Sequence, residues 1–240
     1  MVAYNEDAYE LQCLDWLQGI GWTWAKGPEI AHDGMMPERS SHKDILLVGR
    51  VEDAISRINP GTPKDVIKKV RQALESPSEK DLLKANQQIH RWMTEGMPVK
   101  IREESGEEST KLLWLIDFEN IENNDWLAVN QYSVQVDADA GTRRPDIVLF
   151  LNGIPISVLE LKNPSDLDTD IWQAFEQLQT YKAQISRLFY YNSVLMIADG
   201  ADARMGSLTA DQERFLKWRS VDGDARDPNG SFNPSISVCV

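Results

Sequence analysis

Three charged residues stand at the ends of two neighbouring apolar segments of the sequence. Asp146 follows Pro145 at the start of the first segment, and Glu160 and Lys162 stand at the end of the second. If the segments pair as a hairpin, all three side chains lie towards one end of it, and the last two share a face. Two carboxylates without Cys or His suit a hard ion such as Mg²⁺, which would also offset their mutual repulsion. A lysine beside that ion can stabilise charge on a phosphoryl group or orient an attacking water, so the set is suited to metal-assisted phosphoryl chemistry.

The same charges have a simpler interpretation. Aspartate is common at the start of a strand, and Glu160 and Lys162 could be two solvated charges at a strand end. Their neighbours Val158, Leu159 and Leu161 favour the functional interpretation, because they predict a buried strand. Charged groups beside a buried strand need a reason to be there.

The pairing register of the predicted hairpin decides whether the two carboxylates can share one ion. Asn152 and Gly153 form the strongest short hairpin signal in the chain. In a regular two-residue hairpin at this point, Asp146 would face Leu159, and Glu160 would point to the opposite side of the sheet. A shared site therefore requires an odd shift: a three- or five-residue loop, or a bulge within a strand.

Gln177 and Tyr181 are four residues apart in a predicted amphipathic helix, so they share one helix face. Taken alone, they are typical of a half-buried stripe, since Leu178 and Ile185 lie nearby. With the carboxylates and the lysine upstream, we expect both side chains to point towards the same site or towards its substrate.

Together, these residues resemble the PD-(D/E)xK nuclease motif, with Pro145-Asp146 as its first part and Glu160-x-Lys162 as its second. Gln177-x-x-x-Tyr181 resembles the accessory motif of the RecB-like branch. Nearly the whole chain is similar to the N-terminal nuclease domain of the R (motor) subunit of type I restriction endonucleases, most clearly over residues 112–219. The strings that carry this resemblance are Leu115-Ile116-Asp117-Phe118-Glu119-Asn120, Asn123-Asn124-Asp125, Val129-Asn130-Gln131, Pro145-Asp146-Ile147-Val148-Leu149-Phe150 and Leu159-Glu160-Leu161-Lys162-Asn163-Pro164.

The resemblance implies a Mg²⁺-dependent endonuclease domain that hydrolyses DNA phosphodiester bonds. Asp146 and Glu160 would hold the ion, and Lys162 would assist the water or the phosphate. Gln177 and Tyr181 would position the DNA strand or the lysine.

Glu6, on the first predicted helix, matches the acidic position that such nucleases place near the metal. The match rests on one residue, and an acid in the first turn of a helix is also favoured by the helix dipole alone. Under the resemblance, Glu6 would complete the shell around the ion.

Family members carry helicase-type motor domains after this nuclease domain. The present sequence has no Gly-x-x-x-x-Gly-Lys-[Ser/Thr] phosphate loop. We therefore expect it to use ATP only through motor domains that it lacks. The implied partners are DNA and the methyltransferase and specificity subunits of the restriction complex.

The charge balance argues against a chain that binds DNA by its own electrostatics. The sequence has 38 acidic and 25 basic side chains, a formal net charge of −13, whereas autonomous DNA-binding domains are normally basic. The other partners would then supply most of the DNA affinity. An acidic start without a signal peptide, only two cysteines and no long apolar segment predict a cytoplasmic protein without a membrane span.

Two alternatives stay open at this point. The chain could be a stand-alone RecB-like repair nuclease, which a motor domain encoded downstream would exclude. It could also be a non-catalytic assembly module whose charged cluster is structural, in which case Mg²⁺ or Mn²⁺ should not change its stability.

The apolar pattern predicts an α/β fold. The resemblance implies a restriction-endonuclease-like core, with a central mixed β-sheet flanked by helices and a helical insertion near 51–95. We expect a nuclease domain over 1–221 and a linker or disordered tail over 222–240. The three histidines, His32, His42 and His90, are scattered along the sequence without metal-ligand spacing, and we expect them to be structural or exposed. The predicted helices are 7–17 (with Leu11, Leu14 and Leu17 three apart), 51–58, 63–74, 82–92 and 169–189; the predicted strands are 99–102, 111–118, 127–136, 147–151, 156–161 and 193–198, the last of which could close the sheet.

Overall fold

The fold is centred on a seven-stranded mixed sheet. In the computed structural model, which describes residues 6–102, 107–138, 141–163, 170–200 and 202–217, its strand order is β1-β4-β7-β8-β9-β10-β11. The helices are α1 Glu6–Gly19, α2 Gly27–Ile30, α3 Val48–Ile58, α4 Lys64–Glu75, α5 Leu82–Glu95 and α6 Ile171–Gln184. The strands are β1 Thr23–Lys26, β2 Met97–Arg102, β3 Glu108–Leu113, β4 Trp126–Asn130, β5 Val134–Gln135, β6 Thr142–Arg143, β7 Ile147–Leu151, β8 Ile154–Leu161, β9 Val194–Ala198, β10 Ala203–Gly206 and β11 Leu216–Lys217.

The sheet combines parallel and antiparallel pairs, which confirms the predicted mixed α/β class. Strand β1 runs parallel to β4, and β8 runs parallel to β9. The strands β4, β7 and β8 are antiparallel neighbours at its centre, and β9 pairs with β10 in the same way. As a result, β1, β4, β8 and β9 all end at the edge of the sheet where β7 begins.

Helices cover both faces of the sheet, and successive side chains along each strand point to opposite faces. Ile147, Leu149, Leu159 and Leu161 pack with α1 on one face, in one apolar cluster. The remaining helices pack on the other face. There a larger apolar cluster contains the strand residues that point away from α1, such as Val158. Period-two alternation explains why both central strands read as nearly continuous apolar runs.

The region predicted as a helical insertion contains three helices, α3, α4 and α5, that bury their apolar faces in the larger cluster. The amide of Asn86 on α5 donates to the backbone carbonyls of Phe189, Tyr190 and Asn192. Helix α5 is therefore held to the segment just before β9. The predicted domain limits stay a prediction, and the tail over 222–240 lies outside the described residues.

Several predicted strands have different limits in the structure. The segment 127–136 is not one strand, because Gln131 adopts a φ of 56° and ends β4 at Asn130. The hairpin of β2 and β3 is confirmed as a separate two-stranded sheet, but its second strand spans Glu108–Leu113 instead of 111–118. The segment 193–198 does not close the sheet, since β10 and β11 follow it.

The predicted helices are present, with two corrections. Leu11 is 52% exposed, because the buried face of α1 is centred near Leu17 and Leu11 lies about 120° away from it around the helix. The segment 169–189 is helix α6 only to Gln184, followed by a 3₁₀ helix over Ser186–Tyr191. Within the described ranges, no helix is both long and apolar enough to cross a membrane.

The turn between β7 and β8 is fixed by a buried asparagine. Asn152, with φ of 54°, and Gly153, with φ of 77°, form the predicted two-residue turn, which requires the left-handed region at both positions. The Asn152 amide donates to the Leu115 carbonyl at 2.9 Å and to Asn124 Oδ1 at 2.8 Å, and its Oδ1 accepts from the Asp125 backbone at 2.8 Å. One side chain therefore connects two segments, at residue 115 and at residues 124–125, to the turn.

Candidate active site

A bulge in the central hairpin brings the two predicted carboxylates to the same side of the sheet. Next to the turn, Phe150 pairs with Pro155, as a regular two-residue hairpin demands, but one step further Leu149 pairs with Ser157. Ile156 is the extra residue, and beyond it Ile147 faces Leu159. The odd shift that a shared metal site requires is therefore present as a bulge within β8.

Asp146 lies immediately before β7 and is held by the neighbouring strand. Its Oδ2 accepts a hydrogen bond of 2.7 Å from the backbone N–H of Leu161, and the side chain is 8% exposed. Burial raises the pKa of Asp146 to about 7, and the charges of Glu6 and Glu10 add to that rise. The bond from Leu161 and the charge of Lys162 act in the opposite direction.

Glu160 is fully buried, and its carboxylate is not satisfied by the protein. Neither oxygen has a hydrogen-bond partner among the described residues, and Lys162 Nζ lies 3.5 Å from Oε1, too long for a good hydrogen bond. Burial raises the pKa of Glu160 well above its usual range, with Asp146 as the next cause. Unsatisfied buried oxygens are costly, so this donor set fits a bound hard cation.

Lys162 is held by a chain of hydrogen bonds from α6. Its Nζ donates to Gln177 Oε1 at 2.9 Å, and Gln177 Nε2 donates to the Tyr181 hydroxyl at 2.7 Å. The Tyr181 hydroxyl in turn lies 3.4 Å from the carbonyl oxygen of Arg144, and burial raises its pKa, so it stays neutral. The two helix residues therefore contact the lysine and the segment leading to Asp146.

The first helix adds two acidic residues, one of which the sequence analysis missed. Glu6 is half-buried, and its charge acts on both Asp146 and Glu160. Glu10, one turn later, is 6% exposed and accepts hydrogen bonds from the amides of Asn130, at 2.7 Å, and Gln131.

The placement of Glu10 had a signal in the sequence. It follows Glu6 by four residues, so the two share a helix face. Its partners Asn130 and Gln131 belong to one of the strings that carry the family resemblance. The Gln131 backbone also donates to the Asp146 carbonyl at 2.9 Å, which connects this acid to the site.

The three histidines were expected to be scattered, and that expectation is wrong for two of them. The rings of His32 and His42 are in edge-to-face contact, with centroids 4.7 Å apart. The loop between them folds back on itself, which spacing along the chain does not show. His90 is structural, because its Nε2 lies 2.9 Å from the Asn192 carbonyl oxygen.

The raised pKa values predict that the metal-free protein loses stability as pH rises. Asp146 titrates near pH 7 in the folded chain but near pH 4 when unfolded, so between these values the folded state binds more protons. The free energy of unfolding should therefore fall by about 3–4 kcal/mol between pH 4 and pH 8, at about 1.4 kcal/mol per pKa unit. Urea denaturation in EDTA at several pH values measures this.

The variant Asp146→Asn should show a smaller decrease, because one of the titrating groups is gone. Glu160 adds to the effect in the same direction and should maintain part of the slope. A metal-free protein that gains stability over this pH interval would contradict the assignment of a protonated buried cluster.

Comparisons with known proteins show which proteins the chain is similar to. A family model described as the type I restriction enzyme R protein N terminus matches residues 3–214. The chain is 36% identical over 219 residues to the type I restriction enzyme HindI endonuclease subunit of Haemophilus influenzae, covering 91% of this chain and 20% of that protein. It is 33% identical over 222 residues to a Methanocaldococcus jannaschii protein provisionally named type I restriction enzyme MjaIXP endonuclease subunit, covering 92% and 21%. The chain thus spans about a fifth of the length of these relatives.

Proposed function

The chain belongs to the family of type I restriction enzyme R protein N termini, and from this premise we propose that it is the Mg²⁺-dependent endonuclease domain of such an R subunit. Its substrate would be DNA, and its reaction the hydrolysis of phosphodiester bonds. The relatives are named as endonuclease subunits of type I restriction enzymes, which supports this reaction class.

One observation carries the proposal: the unsatisfied carboxylate of Glu160 lies on the same side of the hairpin as Asp146, with Lys162 beside it. A structural cluster would be expected to satisfy its own buried oxygens. Asp146 and Glu160 would hold the ion, with Glu6 as a further acidic group of its shell. Bound there, Mg²⁺ would polarise the phosphate and lower the pKa of an attacking water.

The protein's other residues would orient and stabilise the reacting groups. Lys162 would carry the positive charge towards the phosphate or the water, since its Nζ lies between Glu160 and α6. Gln177 and Tyr181 would position Lys162 through their chain of hydrogen bonds. The hydrogen bond from Leu161 would keep Asp146 oriented towards the site.

The complete enzyme would combine this domain with other parts. We propose a restriction-endonuclease-like core, which the mixed sheet, the flanking helices and the position of the site support. Motor domains that use ATP, together with methyltransferase and specificity subunits, would provide most of the DNA binding. The net charge of −13 is consistent with a nuclease domain that depends on such partners.

The variant Glu160→Gln tests the metal site by an inversion of stability. In EDTA at pH 8, the variant should be at least as stable as the native chain, because a buried and unsatisfied charge has been removed. With Mg²⁺ or Mn²⁺ at about one hundred times the dissociation constant, the native chain should gain about 2.7 kcal/mol and the variant much less. Thermal unfolding with and without each ion measures both effects.

Asp53→Asn is the matched control, because it removes an exposed carboxylate on α3. It should respond to the metal ions as the native chain does. Equal stabilisation of the native chain and of Glu160→Gln would contradict the proposed site and would favour a structural charge cluster.

A further inference from the structure

A second group of metal-ligating side chains lies outside the site described above. His32, Asp33 and His42 each place one donor atom within 4.8 Å of the other two, and His32 Nδ1 lies 3.8 Å from Asp33 Oδ1. These residues are on the segment after α2, not on the hairpin or on α6. Their types differ from the all-carboxylate set of the candidate active site.

Hydrogen bonds of the backbone hold this segment in place at both ends. Near its start, Gly34 N donates to the Ala31 carbonyl at 2.9 Å. Near its end, the carboxylate of Asp44 accepts from the backbone of Ser40 and Ser41, and the His42 carbonyl accepts from the backbone of Gln135 at 2.9 Å. The two histidines, ten residues apart in sequence, meet where this segment folds back on itself.

The His42 ring has one nitrogen that no group among the described residues satisfies. Its Nδ1 is buried and has no hydrogen-bond partner in the part of the chain that the structure describes, while the ring donates a hydrogen bond to the backbone of Ser133. In metalloproteins, one ring nitrogen binds the ion and the other donates to a carbonyl or carboxylate, which fixes the tautomer. An unpaired buried ring nitrogen otherwise has an energetic cost.

We propose that His32, Asp33 and His42 form a site for a divalent transition metal ion of the Zn²⁺ class. Two imidazoles and one carboxylate are a common three-ligand set for Zn²⁺, with a fourth position for water. Ligand atoms of a tetrahedral ion, about 2.1 Å from it, lie about 3.4 Å apart, so binding needs only a small contraction of the present group. His32 and Asp33 are exposed and can make that adjustment.

The charges around the site limit its affinity. The guanidinium of Arg39 packs over the ring of Tyr132 at 3.9 Å, and its positive charge acts on His42, as the negative charge of Asp33 does. The carboxylate therefore offsets a nearby cation as well as binding the ion. An ion held here would cross-link the two ends of the loop that follows α2, close to the edge of the sheet where β1, β4 and β8 end.

Titration of the full chain with ZnCl₂ after chelator treatment tests the proposal. The background carries Asp146→Asn and Glu160→Gln, so that the candidate active site does not contribute. Calorimetry should show one Zn²⁺ bound per chain, and Co²⁺ in its place should give visible absorption typical of a site with low coordination number. His32→Ala, His42→Ala and Asp33→Asn should each weaken binding at least about tenfold, the loss that even an outer-shell change commonly causes.

His90→Gln is the matched control, since it removes the third histidine of the chain, on α5, and should leave the affinity unchanged. Asp33→Asn keeps the test decisive if a histidine variant fails to fold, because its side chain is exposed. Zn²⁺ affinity that is unchanged in Asp33→Asn and in a folded His42→Ala would overturn the proposal, as would an absence of Zn²⁺ binding in the background protein.

Discussion

Replacing Asp146 by asparagine should abolish DNA cleavage by the reconstituted restriction complex, with a loss of about a thousandfold or more. Asparagine preserves the shape of the side chain and its acceptor for the Leu161 N–H, but it removes the charge that would hold the ion beside Glu160. A metal ion contributes several kcal/mol of charge stabilisation to such reactions, and each 1.4 kcal/mol is tenfold in rate. A supercoiled-plasmid cleavage assay at saturating Mg²⁺ measures the loss.

Lys162→Ala should cause a similar loss by a different route, because Gln177 and Tyr181 would then have no cation to position. ATP-driven translocation by the complex should continue in both variants, which separates loss of chemistry from loss of folding. Lys68→Ala, which removes an exposed lysine on α4, should cleave normally. Cleavage at the native rate by either site variant would remove that residue from the catalytic assignment.

Asn152→Ala should lower the free energy of unfolding by about 3–4 kcal/mol, an unusually large effect for a polar substitution. The side chain is 1% exposed, and its loss leaves the Leu115 carbonyl and the Asp125 N–H without that partner. Each unsatisfied buried group costs about 1–3 kcal/mol, and alanine is also less favourable than asparagine at a positive φ. Chemical denaturation with a constant m-value measures the change.

Asn120→Ala is the control for this substitution, because Asn120 is exposed and its φ is negative. It should change stability by less than about 0.5 kcal/mol, as is usual for surface positions. An Asn152→Ala variant as stable as this control would show that the turn does not depend on the asparagine.

The sequence was most informative where a chemical requirement constrained the geometry. The turn at Asn152-Gly153 alone places Asp146 and Glu160 on opposite faces, so a common site demanded one extra residue in the ladder. That demand is confirmed. Which residue is bulged was not predictable, because Ile156 reads as an ordinary apolar strand position, and its role depends on how β8 fits both of its neighbours.

Features that depend on distant partners were missed. Strand β1, Thr23–Lys26, is short and half-exposed, and it exists because β4 pairs with it more than a hundred residues later. Glu10 shares a helix face with Glu6, but its burial depends on the amides of Asn130 and Gln131, which lie more than a hundred residues later in the sequence. The contact between His32 and His42 likewise depends on a loop whose shape is set by backbone hydrogen bonds.

The extra residue in β8 makes the number of residues between the two carboxylates as important as their identities. Loss of Ile156 would leave Pro-Asp, Glu-x-Lys and Gln-x-x-x-Tyr unchanged in the sequence, yet it would turn Asp146 and Glu160 away from each other. A second length change elsewhere in the hairpin would bring them back together. Under the proposed site, a relative that keeps every motif residue would lose the shared metal site through a single deleted codon, so the spacing of the motif is the property to compare among relatives.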